Sequence, residues 1–394
     1  MSAASFFYII ALMRKTAGGI DRNGLRTWVE VSREAVARNY RLFRSLISKE
    51  TALMAVVKSN AYGHGLADFS EEISKLGADF IGVDSILEAL ALRRGGIGSP
   101  ILVLGYTLPE RINGAAEARI SVAVSNFEHL KALPRGGGRP LGVHLKVDTG
   151  MHRQGFFLKD APAVVLFFKK NRDRVSLEGL FTHFAAAKNP AFPDYTKQQI
   201  AEFKKWQTLL RREGFSFKSH AAATAGTLLF PESHFDMVRI GIGLYGLWPD
   251  CELSAYFGDK IQLRPALSWR SVVSEVKELP RGSKVGYDCA ETLTRDSVVA
   301  VSPVGYWHGY PRALSGIAHT LVRGRRARVL GRVSMDMISI DVTDIPLVRV
   351  GEAVTLVGRD GRQEISATEL SDLCNTSSYE LITRINPLIK RIYI

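Results

Sequence analysis

The sequence predicts an α/β fold: an N-terminal TIM (β/α)8 barrel over residues 27–260, followed by a mostly antiparallel β domain over residues 261–394. Three observations predict it. The length of 394 residues exceeds what one ordinary domain needs and suits a barrel with an appended domain. Between about residues 50 and 245, eight short apolar, β-rich runs alternate with longer amphipathic segments. The connections are too long for hairpins, so neighbouring strands are expected to be parallel with right-handed crossovers. After about residue 260 the alternating runs close up, as antiparallel strands do.

In chain order, residues 1–26 read as an extension, disordered or upstream of a true start at Met13, which mass spectrometry of the native N-terminus would show. Its apolar run, Phe6 to Met13, is too short to span a bilayer, lacks a basic segment before it and has Arg14 and Lys15 after it, so no secretion leader is expected. From Thr27 the first residues of the barrel segment are expected to pair with the C-terminal domain. The barrel runs are Leu53–Val57, Phe80–Val83, Ile101–Leu104, Ile120–Val124, Val143–Val147, Leu177–Phe181, Phe217–His220 and Val238–Ile240. Helical patterns fall between them at Asp68–Leu76, Ile86–Leu92, Ala161–Lys169 and Asp194–Leu210. Gly136-Gly137-Gly138 reads as a turn within a crossover, not a linker. The β-domain runs are Ser268–Leu279, Ser297–Val304, Ala318–Arg323, Ala327–Val333, Met337–Val342 and Ala353–Val357, with one helix, Ser366–Cys374, before the last segment, Tyr379–Ile394.

Composition excludes several classes. With 46% hydrophobic and 23% charged residues the chain is globular, neither disordered nor fibrous. The net charge of +13 suits an anionic ligand, but the basic residues are scattered. The densest stretch, Arg323-Gly-Arg325-Arg326-Ala-Arg328, has no aromatic stacking residues among its arginines and reads as a solvated strand edge, so no nucleic-acid partner is expected. No membrane partner is expected either. Cys251, Cys289 and Cys374 form no CxxC pair and no metal-ligand spacing, so no metal site is expected and a reducing cytoplasm is the expected compartment.

Active sites of such barrels lie at the C-terminal ends of the strands, and the polar residues cluster there. Lys58 closes the first run, where a lysine in a low-dielectric mouth is pushed towards the neutral nucleophile that a Schiff base needs; the alternative is a rim lysine reaching water. Arg239-Ile-Gly241-Ile-Gly243-Leu-Tyr-Gly246 matches GxGxxG, but it follows the eighth strand and opens no new βαβ unit, which argues against a dinucleotide site. The physical alternative is an anion cradle of bare N–H groups at Gly241 and Ile242 with the Thr224 hydroxyl, implying a phosphorylated ligand. Alternation along the fifth strand puts His144, Lys146 and Asp148 on one face; Lys146 would be buried, and so paired (with Asp148, for example), deprotonated or modified. His183, at the end of the sixth strand, fits either the site or a hydrogen-bonded core position.

Eight strings fall in order along the chain: Ala55-Val-Val-Lys58-Ser-Asn-Ala-Tyr62-Gly-His-Gly, His144-Leu-Lys146-Val-Asp-Thr-Gly-Met-His-Arg153, Thr182-His183-Phe184, Met237-Val-Arg239-Ile-Gly-Ile, Val285-Gly-Tyr287, Gly305-Tyr306, Ser334-Met335-Asp336 and Tyr379-Glu380. Taken together they resemble the alanine racemases, enzymes that use pyridoxal 5'-phosphate (PLP) on a barrel. The resemblance spans about Thr27 to Ile394. It implies interconversion of L- and D-alanine through an external aldimine, supplying D-alanine for peptidoglycan. It makes Lys58 the PLP lysine and one catalytic base, with Tyr287 the other, delivered by the partner subunit's second domain in a head-to-tail homodimer with shared sites. Two bases are needed because racemisation removes a proton from one face and returns one to the other. The resemblance also implies that Arg239 bonds the pyridine nitrogen and, having no acceptor, leaves it unprotonated. His183 would link Tyr287 to Arg239, and Arg153 would meet the PLP phenolic oxygen and the substrate. Tyr62, Thr224, Gly241, Ile242 and Tyr379 would hold the phosphate. Tyr306 and the Met335 N–H, from the partner, would meet the substrate carboxylate, and Lys146 would be carbamylated so as to orient Arg153.

Three positions depart from the commonest family pattern: His152 where Gly is frequent, Ala223-Thr224 for Asn-Ser, and Asp288-Cys289 for Gly-Ala. Thr224 keeps the hydroxyl, whereas His152 bears on substrate preference. The competing readings are a broad-specificity racemase, a barrel-class PLP decarboxylase, disfavoured by Arg239, and a non-catalytic PLP-binding protein, which would not need Tyr287.

Overall fold

A computed structural model of the chain describes residues 22, 24–133 and 139–394; the extension before residue 22 and the Gly136–Gly138 turn lie outside the described residues. The chain divides into two compact units. Among the described residues, one comprises 34–61, 66–133 and 139–264; the other joins 22, 24–33 and 62–65 to 265–394.

Strand β1, Thr27–Val31, belongs to the second unit, and the first is a barrel of β2 (Ala52–Val56), β3 (Phe80–Val83), β4 (Ile101–Val103), β5 (Ile120–Val124), β6 (Leu141–Lys146), β7 (Val175–Phe181), β8 (Lys218–His220) and β9 (Met237–Ile240). All the ladders are parallel, in the order β8-β7-β6-β5-β4-β3-β2-β9. The ends β8 and β9 meet through the Ala223–Arg239 bridge and the bond from Arg239 N–H to Ala222 O, 2.9 Å, so the sheet is nearly closed. The strands are apolar almost throughout because both faces are covered, by helices outside and side-chain layers inside. Helix Asp194–Arg212 shows how the cover forms: Thr196, Gln199, Ile200, Phe203, Trp206, Gln207 and Leu210 recur at helical spacing and are its buried face.

The second unit adds β10 (Leu267–Val272), β11 (Glu275–Leu279), β12 (Lys284–Val285), β13 (Glu291–Thr292), β14 (Ser297–Ser302), β15 (His319–Val322), β16 (Arg325–Leu330), β17 (Ile338–Asp341), β18 (Ala353–Asp360), β19 (Gln363–Ile365) and β20 (Lys390–Tyr393). Its main sheet runs β11-β14-β17-β16-β15-β18-β10-β1-β20 and is antiparallel except where β1 meets β20. The run read as Ser268–Leu279 is two strands that pair with different neighbours. The arginine-rich stretch is not a strand edge: β16 lies between β15 and β17. Its arginines are engaged, Arg326 with Glu369 at 2.6 Å and Arg328 with Glu291 at 2.8 Å, while Arg323 donates to Pro346 O at 2.7 Å. Sequence alone does not reveal those partners because each is distant along the chain.

Candidate active site

Lys58 stands two residues beyond the first strand of the barrel, β2, and the backbone then turns left-handed: Ser59, Asn60, Ala61 and Tyr62 have φ of 55°, 56°, 50° and 50°. Such a conformation costs roughly 1–2 kcal/mol per non-glycine residue, so tertiary contacts must impose it. Part of that support is local, since Asn60 Oδ1 accepts from Leu66 N–H at 2.9 Å and caps the next helix. Of the two readings the sequence left open for Lys58, the structure has the rim lysine that reaches water. Its side chain is 39% exposed, and Nζ lies 3.6 Å from Asp84 Oδ1.

Arg239 is buried on β9, the strand that pairs with β2. Nη1 donates to His220 Nδ1 and His220 O, both at 2.9 Å; Nη2 donates to Thr182 O at 2.7 Å and Ala221 O at 2.8 Å, with His183 Nδ1 at 3.4 Å. Its Nε–H has no acceptor among the described residues. Burial pushes its pKa down to about 9, which leaves it charged at neutral pH. Because arginine only donates, His220 Nδ1 must accept, so the His220 proton sits on Nε2, 2.8 Å from His144 Nδ1. Hydrogen-bond logic thus fixes both tautomers. Burial, then Arg239, holds His144 at about 3, and burial, Arg239 and His144 hold His220 well below the ordinary histidine value. His220 also stacks on Phe181, centroids 4.9 Å apart. Gly179 leaves the room for this pair, since a Cβ there would lie 2.0 Å from His144 Nδ1. Sequence reasoning singled out neither His220 nor this relay; a histidine ending β8 beside the β9 arginine was the available signal.

His183 is held at about 3 by burial, Arg239, Arg153, Lys146 and Lys58, which places these side chains within electrostatic reach of one another. A small cavity lined by Lys146, Arg153, Thr182 and His183 opens among them. Lys146 is buried as expected, but its partner is not Asp148: Nζ donates to Gln154 Oε1 at 3.0 Å, while Asp148 Oδ1 accepts from the N–H groups of Gly150 and His152 at 2.9 and 3.0 Å. Burial, Arg153, Arg239 and Lys58 push Lys146 down to about 8 against the opposing pull of Asp148. Arg153 itself is exposed.

After β9 the chain forms a 3-10 turn, Ile242–Tyr245, whose first N–H groups have no partner within the turn. The Gly241 N–H is not bare as the sequence suggested. It donates to Thr224 Oγ1 at 3.2 Å, and Gly243 N–H approaches the same oxygen at 3.4 Å. Thr224 opens a separate helix, Thr224–Leu229, and its hydroxyl meets Gly241 and Gly243 at the start of the turn, a setting that suits phosphate. An amine, several cations and this turn therefore fit an anionic, aldehyde-bearing cofactor.

In the second unit, Tyr287 is 68% exposed on a turn where Asp288 and Cys289 have φ of 57° and 52°, and Asp288 pairs with Arg332 at 3.2 Å. Tyr306 N–H donates to Ser334 O and Trp307 N–H to Met335 O, both at 3.0 Å, which holds the exposed Tyr306 and Met335 on adjoining loops. Tyr62 and Tyr379 lie with ring centroids 6.0 Å apart.

Residues 31–249 match the family model for the alanine racemase N-terminal domain, and residues 266–393 the model for its C-terminal domain. An alanine racemase of Symbiobacterium thermophilum is 43% identical over 95% of this chain and 99% of its own. One of Leptospira interrogans is 37% identical over 93% and 96%. The crystal structure of alanine racemase from Bacillus anthracis with bound L-Ala-P has a TM-score of 0.87 at 34% identity, covering 94% of this chain and 95% of that one. The enzyme from D-cycloserine-producing Streptomyces lavendulae gives 0.86 at 33%, covering 95% and 98%. With both domains matched and the likeness running almost end to end, the chain belongs to the alanine racemase family.

Proposed function

We propose that the protein interconverts L-alanine and D-alanine with PLP as cofactor, acting in the cytoplasm as a homodimer with shared sites and supplying D-alanine for peptidoglycan. The observation that carries this reading is Arg239: buried, charged and fully engaged except at Nε, it offers a ring nitrogen one donor and no proton. When bound, PLP supplies an aldehyde that captures an amine and a ring that accepts electron density from the α-carbon. A ring nitrogen left unprotonated is a weaker electron sink, which favours return of the proton over transamination.

In this reading Lys58 holds the cofactor and moves a proton on one face of the substrate, and Tyr287 of the other protomer moves one on the opposite face. His183, neutral under its neighbouring cations, links Tyr287 to Arg239. Arg153 orients the phenolic oxygen and the substrate. Thr224, Gly241 and Ile242 hold the phosphate with Tyr62 and Tyr379, while the Tyr306 side chain and the Met335 N–H receive the substrate carboxylate. Lys146, whose lowered pKa favours the neutral amine, carries a carbamate that steadies Arg153, seen as an extended side chain in crystal density or as a 13C signal after 13CO2 labelling.

The deciding experiment incubates PLP-loaded protein with L-alanine in D2O. α-Proton exchange by NMR together with D-alanine in a chiral assay is the expected result. Bound PLP with neither signal, followed by exchange with another amino acid in a panel, moves the substrate assignment. Silence across the panel leaves a PLP-binding protein.

A further inference from the structure

Asp84 has no part in the roles assigned above, yet the barrel register carries it to Lys58. β2 and β3 pair Val56 with Gly82, so the residues two further along each strand reach the same level at the mouth. There Lys58 Nζ and Asp84 Oδ1 stand 3.6 Å apart. The Asp84 backbone is clamped on both sides: its N–H donates to Glu88 Oε2 at 2.9 Å, and its carbonyl accepts from Gly105 N–H at 3.1 Å. A Cβ at Gly105 would lie 2.3 Å from that carbonyl oxygen, so only glycine permits the approach. The Glu88 carboxylate also accepts from Ser85 N–H at 3.3 Å, as a helix cap, and from Asn60 N–H at 3.4 Å, inside the left-handed turn after Lys58. One glutamate therefore braces both the aspartate and the turn that bears the lysine. Lys146, Arg153 and Arg239 crowd the same mouth with positive charge, and Asp84 is the acidic partner of Lys58 among the described residues.

We propose that Asp84 is the positioning residue for cofactor capture: it seats the Lys58 ammonium at the mouth and relays its proton while the amine condenses with the PLP aldehyde. This rests on Lys58 being the cofactor lysine. In the condensation a carbon–nitrogen bond forms and the carbon–oxygen bond of the aldehyde breaks. Two of the three protons on nitrogen leave with that oxygen as water, Asp84 carries the first of them across, and the carboxylate is regenerated beside a protonated imine. The ion-pair spacing closes to hydrogen-bond distance for the transfer.

The test strips the full-length protein of cofactor with hydroxylamine and reloads it with PLP. Imine absorbance gives the capture rate, and borohydride reduction with peptide mapping locates the bond. Asp84→Asn should slow capture about tenfold or more, and Asp84→Glu should recover most of the rate. Glu88→Gln, which loosens the brace without touching the lysine, should slow capture as well and serves as the reporter if Asp84→Asn does not fold by circular dichroism. Capture by folded Asp84→Asn at the unaltered rate, or no recovery in Asp84→Glu, overturns the proposal, as does unaltered capture in Glu88→Gln when that variant stands in. A reduced bond mapped away from Lys58 in the unaltered protein overturns the lysine assignment instead.

Discussion

Arg239 spends its guanidinium on four buried acceptors at once, Thr182 O, Ala221 O, His220 O and His220 Nδ1. A lysine keeps the charge but not the planar fork, so Arg239→Lys strands buried acceptors at a cost of about 1–3 kcal/mol each. We expect a lower melting temperature and at least a roughly tenfold loss of racemisation; a variant with unaltered melting and turnover would show that the fork is dispensable. Behind it, His144 and His220 are neutral in the folded protein, with pKa values below the unfolded value near 6.5. Below that pH the unfolded chain binds protons that the fold does not. Stability therefore falls as pH drops from about 6.5 towards the folded value of about 3 for His144, with a slope of about 1.4 kcal/mol per pH unit for that residue. Denaturant midpoints between pH 7 and 5 should be shallower in pH dependence for His144→Gln than for the unaltered protein. Lys58 was legible because it closes an apolar run of the barrel, and Arg239 through the likeness of Met237-Val-Arg239-Ile-Gly-Ile to the family pattern. The sequence could not expose the His220–His144 relay, whose members are 76 residues apart and join only when the barrel closes.

At the scale of elements, the eight barrel strands were readable because buried parallel strands are near-continuous apolar runs and their crossovers are long. Elements whose form is imposed from outside were not. Ser59-Asn60-Ala61-Tyr62 contains no glycine, yet it turns left-handed because the Asn60 cap and the Glu88 brace hold it there. The β6 alternation correctly buried Lys146, but the partner lay in the loop beyond, at Gln154. Gly179, within β7, reads in sequence as a weak strand residue and in the fold as the space that His144 occupies. Gly179→Ala must push the imidazole aside or bend two strands, an overpacking cost of about 1–3 kcal/mol. Its thermal unfolding should fall by several degrees, with a parallel loss of PLP affinity as Arg239 shifts with its histidine partner; unaltered melting would mean that β7 yields freely at this point.

For the whole molecule, the proposed reaction draws its residues from both units. The barrel buries Arg239 and presents Lys58, whereas Tyr287, Tyr306 and Met335 stand 68%, 43% and 54% exposed on the single chain. Exposed side chains of that size on pinned loops are what a surface delivering residues to another protomer would present. If Tyr287 serves the partner's Lys58, two inactive variants must complement each other. A Lys58→Ala protomer paired with a Tyr287→Phe protomer forms one site lacking both residues and one with both intact. If the tyrosine served its own chain, every site in that pair would lack one residue. Each homodimer alone should be nearly inactive. Co-refolding the two in equal amounts gives half mixed dimers, each with one good site of two, so recovery of about one quarter of the native turnover is expected. Recovery should disappear when the variants are mixed without exchange of protomers. No recovery despite mixed dimers proven by native mass spectrometry would place Tyr287 in its own subunit's site and overturn the shared-site reading.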